Sequence, residues 1–149
     1  MAVRVQEGPF DIAAEIAALT GADRDIGAVV TFTGLVRDMG GGGEQAMTLE
    51  HYPGMTEAAL AGIEAEARSR WPLSGATIIH RIGRLEPGDQ IVLVATASRH
   101  RSAAFDAAMF LMDYLKMRAP FWKREESADG ARWVESRESD AAAASRWSR

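Results

Sequence analysis

Two apolar runs rich in β-branched residues, Ala76 to Ile82 and Gln90 to Ala97, flank Glu86-Pro87-Gly88-Asp89. Proline presets one corner and glycine relaxes the next, so this stretch predicts two strands joined by a tight turn. A third run, Ile26 to Val36, is apolar and β-branched enough to read as a buried strand. A fold for this chain must therefore seat three long strands, and the segments between them decide what covers those strands.

Those segments read mostly as helices. Val3 and Val5 alternate with polar neighbours as a short strand, and Asp11 then caps a helix to about Leu19, with Phe10 as a staple before it. Met47 to Tyr52 alternates as a strand that Pro53-Gly54 turns. Thr56 is read as the cap of a helix carrying Ala59, Leu60, Ile63 and Ala67 at helical spacing, ended by Trp71-Pro72. Ser102 opens a long helix with Phe105, Met109, Met112 and Leu115 along one face, and Pro120 ends it. Phe121 to Glu126 and Ala131 to Glu135, parted by Asp129-Gly130, form a final hairpin whose Trp122 and Trp133 are placed to pack across it. The alanine-rich tail after about residue 138 reads as a short helix or a frayed end. Interleaved helices with several turn-linked strands predict an α+β fold, a mixed or antiparallel sheet with helices on one face, as a single domain over 1–149.

The 149 residues contain no cysteine, which excludes a disulfide scaffold, a thiolate metal site, a thiol nucleophile and a persulfide carrier. Three histidines without HExxH-type spacing give no metal motif, and no metal or cofactor is expected. The start lacks an apolar leader core and no run approaches a membrane span, so the expected setting is cytoplasmic, with no membrane partner. The net charge of −4 argues against nucleic acid, yet the charge is uneven. Residues 1–98 carry 7 basic and 13 acidic side chains, residues 99–124 carry 6 and 2, and the remainder 4 and 6. One basic island in an acidic chain suits a small anion or an acidic partner.

Within that island lies the oddest count. Only two of 17 basic residues are lysine, Lys116 and Lys123, seven apart around Ala119-Pro120-Phe121-Trp122. Arginine keeps its proton, whereas a desolvated lysine can act as nucleophile, base or tunable acid. A helix end followed by a proline-turned strand can bring both ammonium groups into one pocket. Composition alone leaves equally open that they are two surface cations. Ser98-Arg99-His100-Arg101-Ser102, between a strand and a helix, combines helix-start N–H groups with two arginines and a histidine and could cradle phosphate, or simply be solvated. Arg37, where a strand runs into Gly40 to Gly43, could clamp an anion or sit in solvent. The tetraglycine lacks the Gly-Lys-Ser/Thr of a Walker loop and is read as mobile. His51 and His80 fall in strands and read as core or interface histidines.

Several stretches, in order, resemble one known family. They are Val29-Val30-Thr31-Phe32-Thr33-Gly34 with Val36-Arg37, Leu49 to Met55, His80-Arg81-Ile82-Gly83, His100-Arg101-Ser102, Asp113 to Glu125, and Trp133-Val134-Glu135. The sequence is similar to the large, catalytic subunit of molybdopterin synthase over most of its length, from about residue 26 onward.

The resemblance implies an α/β hammerhead fold and a sulfurtransferase of molybdenum cofactor biosynthesis. It implies conversion of cyclic pyranopterin monophosphate (precursor Z) to the molybdopterin dithiolene. The sulfur would arrive as a thiocarboxylate on the C-terminal Gly-Gly of a small ubiquitin-like subunit, and two large and two small chains would form a heterotetramer built on a large-subunit homodimer. By resemblance Lys116 lies beside the incoming tail and Lys123 is the second active-site lysine. Arg37, His100 and Arg101 match positions that bind the pterin phosphate or line the pocket, with His100 and Arg101 able to come from the neighbouring large subunit. Arg124 and Glu125 match a substrate-contacting run with Lys123, and Arg137 a further pocket arginine. Leu35 departs from the family, standing where relatives often carry lysine, and the Gly40–Gly43 loop is idiosyncratic. Two other functions fit the residues less well: a non-catalytic adaptor for ubiquitin-like tails, which needs no pterin pocket, and a Schiff-base lyase using Lys116.

Overall fold

The computed structural model describes residues 2–40, 42–127, 130–134 and 138–148. Twelve elements follow one another along these residues. They are β1 (Ala2–Gln6), α1 (Ile12–Thr20), β2 (Ala28–Leu35), β3 (Ala46–His51), α2 (Met55–Arg70), β4 (Leu73–Arg81), β5 (Gly83–Leu85), β6 (Gln90–Ser98), α3 (Arg101–Arg118), β7 (Phe121–Ser127), β8 (Gly130–Val134) and α4 (Glu138–Ser145).

The α+β expectation holds, but the strands divide into two sheets where one was expected. The first has order β1-β4-β6-β2, with β1 parallel to β4 and the other pairs antiparallel. The second has order β5-β3-β7-β8 and is antiparallel throughout. The division falls at Ile82-Gly83. Gly83 adopts φ +87°, a conformation costly for side-chain-bearing residues, and it redirects the chain so that β5 pairs with β3 instead of extending β4.

Burial follows from that arrangement. Strand β6 is central, paired on both sides, and is buried from Val92 to Ser98. Strand β2 is an edge, so the expectation of a buried strand fails there: Phe32 and Leu35 are 45% and 55% exposed. The main core joins Leu60, Ile63 and Ala67 of α2, Ile78 of β4, Val94 of β6, and Phe110, Leu111 and Leu115 of α3.

Helix α3 meets β6 through small residues. Ala103, Ala104, Ala107 and Ala108 are buried together with Phe110, Leu111 and Tyr114, whereas Phe105 and Met109 are 58% and 50% exposed. The expected apolar face was therefore rotated from the buried one, because alanine carries too little hydrophobic weight to reveal a close-packed seam. The helix starts at Arg101 with His100 as N-cap, one residue before the expected Ser102. Asp11 caps α1 as expected, its carboxylate accepting from the Ala14 N–H at 3.2 Å.

Thr56 is not a cap. Gly54 occupies the N-cap of α2, and Thr56 lies inside the helix, fully buried. In the hairpin register Trp133 stands opposite Arg124, and Trp122 tilts against Tyr52, centroids 5.2 Å apart. The tail after 138 forms α4 and is anchored by Trp147, whose ring meets Trp71 and Phe110 edge-on and whose Nε1–H donates to Asp113 at 2.7 Å. The glycine segment is tied at its base. Buried Gln45 accepts from the Met39 N–H at 2.7 Å and donates to Asp38 and to the Gly40 carbonyl at 3.0 Å each. Those amide donors, the Gly40 N–H foremost, hold the Asp38 carboxyl below its usual range. No helix among the described residues is long and apolar enough to cross a membrane.

Candidate active site

Strand register locates the two ends of the candidate site. His80, Val92 and Gly34 lie in one row across the first sheet, and Arg37 leaves the sheet three residues beyond Gly34. At the other end of β6, Ser98 leads to Arg99, His100 and Arg101 at the start of α3. Helix α3 then runs back over the sheet, and Lys116 in its last turn returns to the His80 end.

His80 organises that end. It is 4% exposed, and its ring stacks on Phe121 with centroids 3.8 Å apart and planes within 20°. Its Nδ1 lies 2.8 Å from the Arg81 carbonyl, which can only accept, so a neutral ring carries its proton on Nδ1. Burial, with smaller contributions from nearby Lys116 and His51 and against the help of that carbonyl, lowers the imidazole pKa to about 4. His80 is therefore neutral at physiological pH. His51, opposite Phe121 on β3, lies 3.8 Å from the Glu57 carboxylate.

Lys123 sits two residues along β7 from Phe121 and on the same face of the strand. It pairs with Leu49 and Val134 in register and faces Glu125 at 3.8 Å. Arg124 points to the opposite face and lies 3.9 Å from Glu126. The run Lys123-Arg124-Glu125 is thus divided between two faces of the second sheet. The two lysines are linked through one ring stack: Lys116 acts on His80, His80 stacks on Phe121, and Phe121 shares its face with Lys123.

The remaining candidates lie elsewhere. Arg37 is exposed at the lysine end of the first sheet, beyond a pair of backbone bonds from Val36 to Asp89 and Gly88. His100 and Arg101 are exposed at the far end, Arg101 standing 15 residues before Lys116, or about 22 Å along the helix. Arg137 lies outside the described residues, as do Asp129 and Glu135 of the expected hairpin. A cleft lined by Glu44, Gln45, Arg84, Glu126 and Ser127 opens at the other end of the second sheet from the His51–Phe121 pair, and neither lysine lines it. Among the described residues no group of three or more histidines and carboxylates could hold a metal ion.

Sequence reasoning missed three contributors. In the sequence Thr56 reads as a cap and Phe121 as an ordinary strand residue, and Gly27 carries no signal of its own. A Cβ at Gly27 would collide with the Arg99 carbonyl oxygen, so this glycine lets the chain entering β2 pass close beneath the His100–Arg101 corner. Its own N–H donates to the Ser98 carbonyl at 3.0 Å. Only the Ser98 to Ser102 run hinted that this corner needed room.

The geometry defines a small α+β protein of two sheets, with a helix basic at both ends, Lys116 acting on a neutral buried His80, and Lys123 on the strand face that carries Phe121. The chain belongs to the MoaE protein family, whose model matches residues 5–118. It is 62% identical over 148 residues, covering 99% of both chains, to a molybdopterin synthase catalytic subunit of Pseudomonas aeruginosa. Among solved structures, the molybdopterin biosynthesis MoaE protein of Burkholderia ambifaria is 53% identical, with TM-score 0.84 and coverage of 99% of this chain and 98% of that one. Molybdopterin synthase from Staphylococcus aureus is 33% identical with TM-score 0.81, covering 88% and 95%.

Proposed function

We propose that this chain is the catalytic subunit of a molybdopterin synthase. It transfers sulfur from the thiocarboxylated C-terminus of a small ubiquitin-like partner to cyclic pyranopterin monophosphate in molybdenum cofactor biosynthesis, in the cytoplasm. One observation supports the reading most: of the chain's only two lysines, Lys116 acts on His80, and Lys123 lies on the face of β7 that carries Phe121, the ring stacked on His80. An arginine-rich chain that keeps lysine at that one place uses it for a task arginine does not perform.

In this mechanism the thiocarboxylate sulfur bonds to an electrophilic carbon of the pterin as a carbon–oxygen bond at that carbon breaks, the oxygen keeping the electron pair and taking up a proton. Water then cleaves the acyl–sulfur bond, so the tail leaves as a carboxylate and the sulfur stays on the pterin. Negative charge develops on the acyl oxygen and then on the departing carboxylate. Lys116 as a cation orients the tail and stabilises that charge. As a neutral amine it could instead move a proton or be acylated by the tail. Lys123, with Glu125 beside it, assists pterin binding and proton transfer. Arg37 serves the same end of the site, Arg124 and Arg137 contribute to the pocket and its rim, and no resident cofactor or metal takes part.

His100 and Arg101 complete the site from a second copy of the chain. The length of α3 supports this, because it keeps the His100–Arg101 corner too far from the lysines of its own chain to share one small substrate. The exposed β2 edge, with Phe32 and Leu35, offers apolar surface for such pairing. Two copies with two small subunits make the heterotetramer. The test is to mix the protein with a thiocarboxylated small subunit and precursor Z and follow dithiolene product by mass spectrometry. Complex formation without product would leave only an adaptor role, and borohydride trapping of the enzyme with a carbonyl substrate would reveal a Schiff-base lyase instead.

A further inference from the structure

Between Lys116 and Lys123 the chain leaves α3, turns at Ala119-Pro120 and enters β7 at Phe121. The Ala119 N–H closes the helix on the Leu115 carbonyl at 3.2 Å, and the Phe121 N–H donates to the Ala119 carbonyl at 2.9 Å. Two side chains from other elements grip adjacent residues of this corner. From α2, the Thr56 hydroxyl donates to the Pro120 carbonyl at 3.1 Å and accepts from the Tyr52 N–H at 3.0 Å. From β4, the His80 ring lies flat on Phe121.

We propose that Thr56 and His80 are positioning residues that set the placement of Lys116 relative to Lys123. The inference rests on the sulfur-transfer reading for the role of the lysines, but its geometric part stands on the corner itself. Both residues are polar where an apolar side chain of similar shape would pack. Thr56 is fully buried, so valine would fill the same volume, and phenylalanine would stack on Phe121 as imidazole does. What the polar atoms add is direction. The hydroxyl fixes the Pro120 carbonyl against the end of β3, and the Nδ1–H bond to Arg81 fixes the plane on which Phe121 rests. The corner is thereby held from two sides, halfway between the two amines.

Because the chain has only two lysines, a short bifunctional amine reagent reports their placement directly. In the assembled enzyme with its small subunit, Thr56→Val and His80→Ala should lower the Lys116–Lys123 cross-link several-fold by peptide mass spectrometry, with single modification of each lysine unchanged. In the same variants kcat should fall about 10- to 100-fold, with KM for the pterin within about 3-fold. Thr56→Ser, which retains the hydroxyl, should restore most of both, whereas His80→Phe, which retains the flat ring without the bond to Arg81, should not. If His80→Ala does not fold, Thr56→Val decides. A parent-like cross-link yield in the variants overturns the proposal whatever the activity. A reduced yield with parent-like kcat supports the positioning role and instead removes the lysine pair from catalysis, as would full activity of Lys116→Ala.

Discussion

Arg101 and Lys116 stand at opposite ends of one helix, with the whole of α3 between them and about 22 Å along its axis. A phosphate held at one end of that helix cannot touch an amine at the other end of the same copy. The two ends become parts of one site only when two copies pair across a twofold axis with their α3 helices antiparallel.

Complementation tests this. Arg101→Ala and Lys116→Ala should each lose activity as homodimers. Mixed dimers hold one doubly damaged site and one intact site, so random re-pairing should recover roughly a quarter of parental activity. Product formation after co-refolding the two variants is the measurement, and no recovery would show that each chain builds its own site.

Lys116 carries the heaviest load in the proposed mechanism. Lys116→Ala should lower kcat about 100- to 1,000-fold while leaving the fold and small-subunit binding intact. Lys116→Arg retains positive charge without an ionisable amine near neutrality. Recovery in Lys116→Arg would assign the effect to electrostatics, and its absence to proton transfer or acylation.

His80 predicts a pH dependence of stability. The unfolded chain takes up a proton at this imidazole near 6.5, the folded chain only at about 4. Below 6.5 the unfolded state therefore binds more protons, and stability is lost as pH falls through the window from 6.5 to 4. The full loss is about 3 kcal/mol. Denaturant unfolding of the parent and of His80→Phe across that range should show this slope only in the parent.

Gly27 gives a structural test of the distal corner. Gly27→Ala places a methyl against the Arg99 carbonyl and must displace the segment that leads to His100 and Arg101. The variant should raise KM for the phosphorylated pterin more than it lowers kcat. Steady-state kinetics distinguish this from general destabilisation, which would reduce active enzyme without altering KM.

Trp147 anchors the last helix to the core. Trp147→Phe removes the donor to Asp113 and should cost about 1 kcal/mol. Trp147→Ala also removes the contacts with Trp71 and Phe110 and should cost about 2–3 kcal/mol, with a fall in Tm of about 4–12 °C. Thermal melts of both variants check the ordering.

The elements themselves were legible because they rest on local signals: Asp11 before α1, Pro120 after α3, and the Pro87-Gly88 turn before β6. What stayed hidden was set by long-range pairing. Nothing local in Ile82-Gly83 announces that the next three residues join another sheet, and β-branched residues at 28–35 look the same on an edge as in a centre. Lys116 and Lys123 stand out by their rarity, but the histidine that Lys116 acts on does not, because His80 lies 36 positions before Lys116 and reads as any core histidine. Thr56 was misassigned because a threonine near a helix start usually caps. Here its hydroxyl reaches a carbonyl 64 residues away.

The alanine seam of α3 has a bearing beyond packing. With Ala103, Ala104, Ala107 and Ala108 against the first sheet, the thickness of that seam fixes how far the helix stands off, and so the height at which Lys116 emerges. A single methyl added at Ala104 or Ala107 would lift the helix like a shim. On the proposed sulfur-transfer reading, such a substitution would shift Lys116 relative to the partner's tail without replacing either lysine.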